Sequence, residues 1–203
     1  MVGNTTMLSQ NQLEVLASFF PRLKEKTSKE IEKSTGLSHE PAFRMLKSLI
    51  KNRYLKERKV GRTNVYEFVS SDYDYFVYTF FATKKISKFK EKHILLYKRL
   101  KEFANSIKAS SVILFGSYAK GSERKESDID ILIVSNENNI KKTALTFRTK
   151  YNISIKPVVI IPENFRNIKI DNPAFYNDLL EFGIILDGIE FFFKEVYQNA
   201  KIT

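Results

Sequence analysis

Asp128 and Asp130 are the residues from which chemistry can be read. They stand in "ESDIDILIV", at the head of a hydrophobic run, where a carboxylate is desolvated at a cost. Side chains alternate along a strand, so Asp128 and Asp130 share one face while Ile129 and Ile131 point into a core. Two like charges this close repel each other unless a cation stands between them. A divalent ion removes that repulsion. Mg²⁺, with Mn²⁺ as the alternative, takes a few carboxylates and completes its shell with phosphate oxygens and water. Upstream, "VILFGS" ends another hydrophobic run in Gly116-Ser117. A strand that breaks into a helix at Gly-Ser turns free backbone N–H groups toward an anion. Gly116 allows close approach of a phosphate, and Ser117 adds a hydroxyl donor. A phosphate cradle and a metal pair together suit nucleotidyl transfer, in which metal ions stabilise the attacking and leaving oxygens.

Ten residues separate Ser117 from Asp128, enough for a short helix and a return to the sheet. Asp-x-Asp alone is a weak signal and Gly-Ser alone is none. Strand, Gly-Ser, a ten-residue gap and Asp-x-Asp entering a second strand form a specific combination. The competing reading is a Ser-Asp turn with an unrelated Asp on an exposed strand face. "GSYAKGSERKESDIDILIV" resembles the signature of the DNA polymerase beta-like nucleotidyltransferase superfamily, and more closely the minimal nucleotidyltransferases. These are small proteins, many prokaryotic, and some are antitoxins that adenylylate a HEPN-type toxin. The resemblance covers roughly residues 110 to 190, including "KPVVIIPENF" and "NDLLEFGIILDG". It implies Asp128 and Asp130 as catalytic metal ligands, Gly116 and Ser117 as nucleotide-binding residues, ATP as the first-choice nucleotide and a HEPN-type toxin as a candidate partner.

One departure stands out. The resemblance implies a third carboxylate from a later strand, expected in "NISIKPVVII" near Ser154 or Lys156, and neither is acidic. Lys156 would place positive charge where a metal site needs negative charge. Glu163, just beyond that strand, is the nearest substitute, although after Pro162 it reads more simply as a helix N-terminal residue. Lys120 and Arg124 lie within reach of a triphosphate, but long cations in a loop are ordinarily solvated.

The elements that must position these residues form the second half of the chain. "SSVILF" is a strand, "DIDILIV" a strand, "NNIKKTALTFRTKY" a helix, "ISIKPVVII" a strand, and "NPAFYNDLLEFG" and "IEFFFKEVYQNA" are helices. This predicts a mixed domain over 109–203 with a small mixed sheet.

The first half has a different pattern. "NQLEVLASFF" is a helix stopped by Pro21, "TSKEIEKSTG" a short helix capped by Thr27 or Ser28 and ended by Gly36. "SHEPAFRMLKSLIKNRYL" is a longer helix capped by Ser38, with Phe43, Leu46 and Ile50 on its apolar side. "YLKERKVGRTNVYEFV" is a hairpin turning at Gly61-Arg62. Helix, short helix, turn, helix, hairpin is the order of a winged helix-turn-helix, expected over 1–70. In such a module Ser38, His39, Arg44, Lys47 and Lys51 on the third helix, and Lys59, Arg62 and Asn64 on the wing, would meet double-stranded DNA. The plainer alternative is a small helical domain whose charges form a solvated face.

Between the halves, 71–108 is predicted as a helical linker. "YDYFVYTFF" is unusually aromatic. It reads as a base-stacking platform or, more economically, as a packed face, making Tyr73 to Phe81 the candidate homodimer interface. His93 has no second ligand at metal spacing and reads as a surface or packing residue.

Charge follows the same division. The formal charge is +11, yet residues 109–203 hold 12 Lys+Arg and 12 Asp+Glu, so all the excess lies before them. A basic half joined to a neutral half points to two jobs, one involving a polyanion. With no cysteine there is no disulfide framework or thiolate chemistry. No apolar run approaches the ~18 residues needed to span a bilayer, and the first residues lack a signal-peptide pattern, so a cytoplasmic protein is expected. The expectation is therefore a mixed α+β protein. It would be a Mg²⁺-dependent nucleotidyltransferase, moving a nucleoside monophosphate onto a protein or small-molecule hydroxyl, with an attached DNA-binding module. The alternative is a degenerate nucleotidyltransferase fold serving as a transcriptional regulator.

Overall fold

The computed structural model describes residues 8–69 and 74–198. The chain folds as two units, Met1–Phe81 and Ala82–Thr203.

In the first unit, local capping signals start the first two helices. Helix α1 (Gln10–Ala17) begins at Ser9, which accepts from the Gln12 N–H while Gln12 Oε1 accepts from the Ser9 N–H at 2.8 Å. After the two-residue strand β1 (Lys26–Thr27), α2 (Ser28–Thr35) repeats the device with Thr27 and Glu30. Satisfying two helix-end donors this way holds the first turn closed. Helix α3 (His39–Lys51) leads into β2 (Leu55–Val60) and β3 (Thr63–Phe68), a hairpin turning at Gly61 and Arg62. The three antiparallel strands are ordered β1-β3-β2. Leu16, Phe19, Ile31, Leu46, Leu49 and Leu55 fill the core between them.

One expectation for α3 fails. Its buried side is Ala42, Leu46 and Leu49, whereas Phe43 is 47% exposed and Ile50 half-buried. Ala42, Leu46 and Leu49 follow the i, i+4, i+7 stripe, and Phe43 lies one residue, about 100°, off it.

Helix α4 (Asp74–Asn105) crosses the division between the units, and its backbone leaves helical geometry at His93 (φ −131°, ψ 41°). Of the aromatic stretch, Tyr73 lies outside the described residues. Tyr78 is buried, and its ring and that of Phe81 pack on Phe20, while Tyr75 and Phe76 are exposed.

The second unit is built on a four-stranded sheet of β4 (Ser111–Phe115), β5 (Ile129–Val134), β6 (Ile155–Ile160) and β7 (Ile184–Asp187). Their order is β6-β5-β4-β7, with β5 and β6 parallel and the other pairs antiparallel. Ile113 and Leu114 point to opposite faces and both are fully buried, so both faces are covered. On one face Val112, Leu114, Ile129, Ile131 and Ile133 cluster with Leu100 and Phe103 of α4 and with Ala144 and Phe147 of α6 (Ile140–Tyr151). Toward the chain end lie α7 (Pro162–Asp171), α8 (Pro173–Phe182) and α9 (Ile189–Phe193), and α8 and α9 pack against β4. The result is a mixed α and β fold with small sheets, as the sequence pattern predicts. Among the described residues no helix is long and apolar enough to cross a membrane.

Candidate active site

The Asp pair sits where β5 begins. Ile131 faces the α4–α6 cluster, so Asp130 projects from the other face of the sheet. Asp130 lies across from Phe115 on β4 and from Lys156 on β6. The next residue after Phe115 is Gly116, the first of the short helix α5 (Gly116–Lys120). The strand order therefore brings Gly116, Asp130 and Lys156 together, although 40 positions separate the first from the last.

Gly116 and Asp130 are in close contact. Gly116 has φ +71°, and a Cβ built on it would stand 2.3 Å from Asp130 Oδ2. No L side chain fits there without displacing the carboxylate, so glycine at 116 is a steric requirement. Ser117 follows, half-buried, with its carbonyl oxygen accepting from the Ser122 N–H at 3.0 Å. Gly121, at φ +69°, ends α5. The loop back to β5 is closed by paired bonds between Arg124 and Ser127, the Arg124 N–H donating to Ser127 Oγ at 2.8 Å and the Ser127 N–H to the Arg124 carbonyl at 2.9 Å.

The two aspartates differ in electrostatics. The Lys156 ammonium holds Asp128 Oδ2 at 2.5 Å. That bond, with one from Ser154, keeps the Asp128 carboxyl below its ordinary value, and the same contact raises the Lys156 ammonium. Asp130 moves the opposite way. Burial pushes its carboxyl up, the charge of Lys156 opposes this and the charge of Asp128 adds to it. Among the described residues no hydrogen-bond donor reaches the Asp130 carboxylate.

The third-carboxylate position is now defined. Parallel pairing puts Lys156 beside Asp130, and Ser154 accepts from the Ile129 N–H at 2.9 Å through its carbonyl. Glu163 is exposed in the first turn of α7, with Arg166 on the same helix feeling its charge. Among the described residues no group of three or more His, Cys, Asp or Glu could hold a metal ion. The residues present nevertheless suit one divalent cation. Asp128 already accepts a cationic partner, Lys156, and Gly116 lets the backbone lie against the Asp130 carboxylate.

Lys120 pairs with Asp178 at 2.5 Å and lies over the Phe182 ring, and Arg124 is exposed. His93, at the break in α4, bonds Glu123 Oε1 through Nε2 at 3.0 Å and packs on Phe89 and Tyr118. It lines a cavity of about 320 Å³. Its partner Glu123, in the loop before Asp128, is a contact that residue spacing could not reveal.

In the first unit the candidate DNA residues fall on α3 and the hairpin. Ser38 precedes α3 without a side-chain capping bond. His39 stacks on Phe43, and Lys47 lies over the same ring at 5.4 Å, forming an exposed i, i+4, i+8 stripe. Several are paired with acids: His39 with Glu32, Arg44 with Glu40, and Lys47 and Asn64 both with Glu57. Lys51, Lys59 and Arg62 are exposed, with no acidic partner among the described residues. Phe43 belongs to this surface; its apolar character assigned it to the core in the sequence.

Comparison with known proteins gives consistent matches for the second unit. The model of a nucleotidyltransferase domain matches residues 96–181, from within α4 to within α8. A proposed protein adenylyltransferase of Methanocaldococcus jannaschii is 39% identical over 97 residues, covering 44% of this chain and 95% of that protein. A second proposed protein adenylyltransferase of the same organism is 31% identical over 100 residues, covering 45% of this chain and 67% of its own. A solved structure described as a toxin-antitoxin with AMP-PNP is 19% identical, covering 53% of this chain and 90% of that one, with a TM-score of 0.37. So loose a superposition supports no functional argument.

Proposed function

The chain belongs to the nucleotidyltransferase domain family, and on that premise we propose that its second unit transfers AMP from ATP to a hydroxyl group on a protein. The observation that carries this reading is the meeting of Gly116, Asp128 and Asp130 at one end of the sheet, with Gly116 cleared to within touching distance of Asp130. Gly116 and Ser117 would hold the β,γ-phosphates. Asp128 and Asp130 would hold Mg²⁺ or Mn²⁺, which when bound supplies charge stabilisation for the phosphates. The acceptor oxygen forms a bond to the α-phosphorus. The bond from that phosphorus to the bridging oxygen breaks, and pyrophosphate leaves with the electron pair. The hydroxyl proton passes to the Asp130 carboxylate, which has no competing donor. A protein acceptor is favoured by the names of the two relatives. A HEPN-type toxin, with this chain as its antitoxin, is the acceptor that the sequence resemblance favours.

The first unit is read as a winged helix-turn-helix that binds double-stranded DNA as a homodimer. Its order of elements, antiparallel hairpin and exposed Lys51, Lys59 and Arg62 support this. An adenylylating antitoxin that also binds its own promoter would use both units. A regulator without turnover is the second reading, favoured by Lys156 on Asp128 and by the missing third carboxylate.

Calorimetric titration of Mg·ATP into the protein, beside an Asp128→Asn/Asp130→Asn double variant, tests the site. Micromolar affinity in the wild type that disappears in the variant is expected. No binding by the wild type would remove the transferase reading and leave the regulator.

A further inference from the structure

We infer that Lys156 takes the place of a second metal ion, making this a nucleotide site that works with one divalent cation and one built-in ammonium group. The inference rests on the adenylyl-transfer reading.

Position is the first argument. Lys156 lies beside Asp130 in the strand register and reaches Asp128 Oδ2 at 2.5 Å, so its ammonium lies at the Asp pair. The register is enforced over six residue pairs of β5 and β6, so the side chain cannot be shifted off this face without unpairing the strand.

Charge is the second. A carboxylate together with the divalent ion it helps to hold adds one positive charge to a site. An ammonium adds the same. Two aspartates, one lysine and one divalent ion therefore present a triphosphate with the net charge that three carboxylates and two divalent ions would present. The number of metals changes while the electrostatic stabilisation of the phosphates is retained.

Ligand supply is the third. Mg²⁺ and Mn²⁺ need oxygen ligands, and each protein-bound ion uses one or two carboxylates. Among the described residues no third acidic group joins Asp128 and Asp130, so a second ion would have to share the two carboxylates that hold the first. Lys156 is 63% exposed on a flexible four-carbon stem. With Asp128 engaged by a divalent ion, the Lys156 ammonium would be free to take a phosphate oxygen as its partner. Lys156 thus fills the Asp pair before ligand arrives and binds the nucleotide afterward.

The test counts metal ions. Full-length protein is saturated with α,β-methylene-ATP, whose scissile linkage cannot break, and Mn²⁺ is titrated while free ion is followed by electron paramagnetic resonance. Wild type is expected to take up one Mn²⁺ per chain. Lys156→Gln should still take one but bind the analogue about tenfold more weakly, the loss expected for a charge-assisted phosphate bond. Lys156→Glu supplies a third carboxylate and should take two. Two Mn²⁺ in the wild type, or unchanged analogue affinity in Lys156→Gln, would overturn the inference while leaving adenylyl transfer intact. Failure of the wild type to bind the analogue at all would instead overturn the transfer reading, and the inference with it.

Discussion

Asp128 and Asp130 are two residues apart, and their carboxyls are shifted in opposite directions because their surroundings differ. Asp128 has Lys156 and Ser154 to hold its charge, and Asp130 has burial and a neighbouring carboxylate. A carboxyl whose value is raised by folding costs stability when ionised, and the cost disappears as pH falls through its titration. Asp130→Asn is therefore expected to raise the melting temperature at neutral pH. The gain should shrink on acidification and be absent below the ordinary carboxyl range, about pH 4. Asp128 behaves in reverse. Its value is lowered, so its contribution is present above the ordinary range and lost as pH falls through its folded value. Asp128→Asn should leave the neutral-pH melting temperature unchanged or slightly lower, since the pair with Lys156 is at the surface. Thermal melts of both variants between pH 3 and pH 7, in about one-unit steps, check the signs. Both should lose nucleotide affinity, so a stabilised Asp130→Asn protein that no longer binds would mark a site maintained against stability.

At the scale of elements, α3 separates the residues that build the first unit from those that face outward. Leu46 is fully buried and Phe43 is not. Leu46→Ala should cost about 2–5 kcal/mol of unfolding free energy, the usual range for a buried leucine. Phe43→Ser should fall within about 0.5 kcal/mol, as for a surface residue, while weakening duplex DNA binding. Urea denaturation followed by circular dichroism measures the first pair of values and fluorescence anisotropy the second. Equal destabilisation by both variants would return Phe43 to the core. In the second unit, β6 is the element that matters most. By pairing parallel to β5 over six residue pairs it sets which of its side chains meets Asp130, and Lys156 is the result.

For the whole molecule, the uneven distribution of charge is the main physical fact. The excess positive charge lies before residue 109, and residues 109–203 are neutral. Duplex DNA binding should weaken steeply with salt, because each phosphate contact releases a counterion. Lys51→Ala and Arg62→Ala should each reduce the slope of log affinity against log salt by about one, uniformly across DNA sequences. Anisotropy titrations between about 50 and 200 mM salt measure this. A slope unchanged in both variants would place the polyanion elsewhere on the basic half.

Much of this was legible in the residue order. Alternation within "DIDILIV" put both aspartates on one face and the isoleucines in the core, because strand geometry has a period of two. Thr27 or Ser28 and Gly36 marked the ends of α2, and the structure selects Thr27, with Glu30 as its partner, and a left-handed turn at Gly36. The missing third carboxylate was visible as Ser154 and Lys156. What the order of residues could not determine was contact across strands and helices. Phe43 is apolar, yet its place on the helix turns it outward, because the neighbours of α3 select the side that Ala42, Leu46 and Leu49 share. Glu123 beside His93 joins residues 30 positions apart. Composition and local periodicity determined the elements, the two Asp residues and the charge of each half. Only the pairing of β5 with β6 decided that Lys156 meets Asp128, because register depends on the packing of the whole sheet.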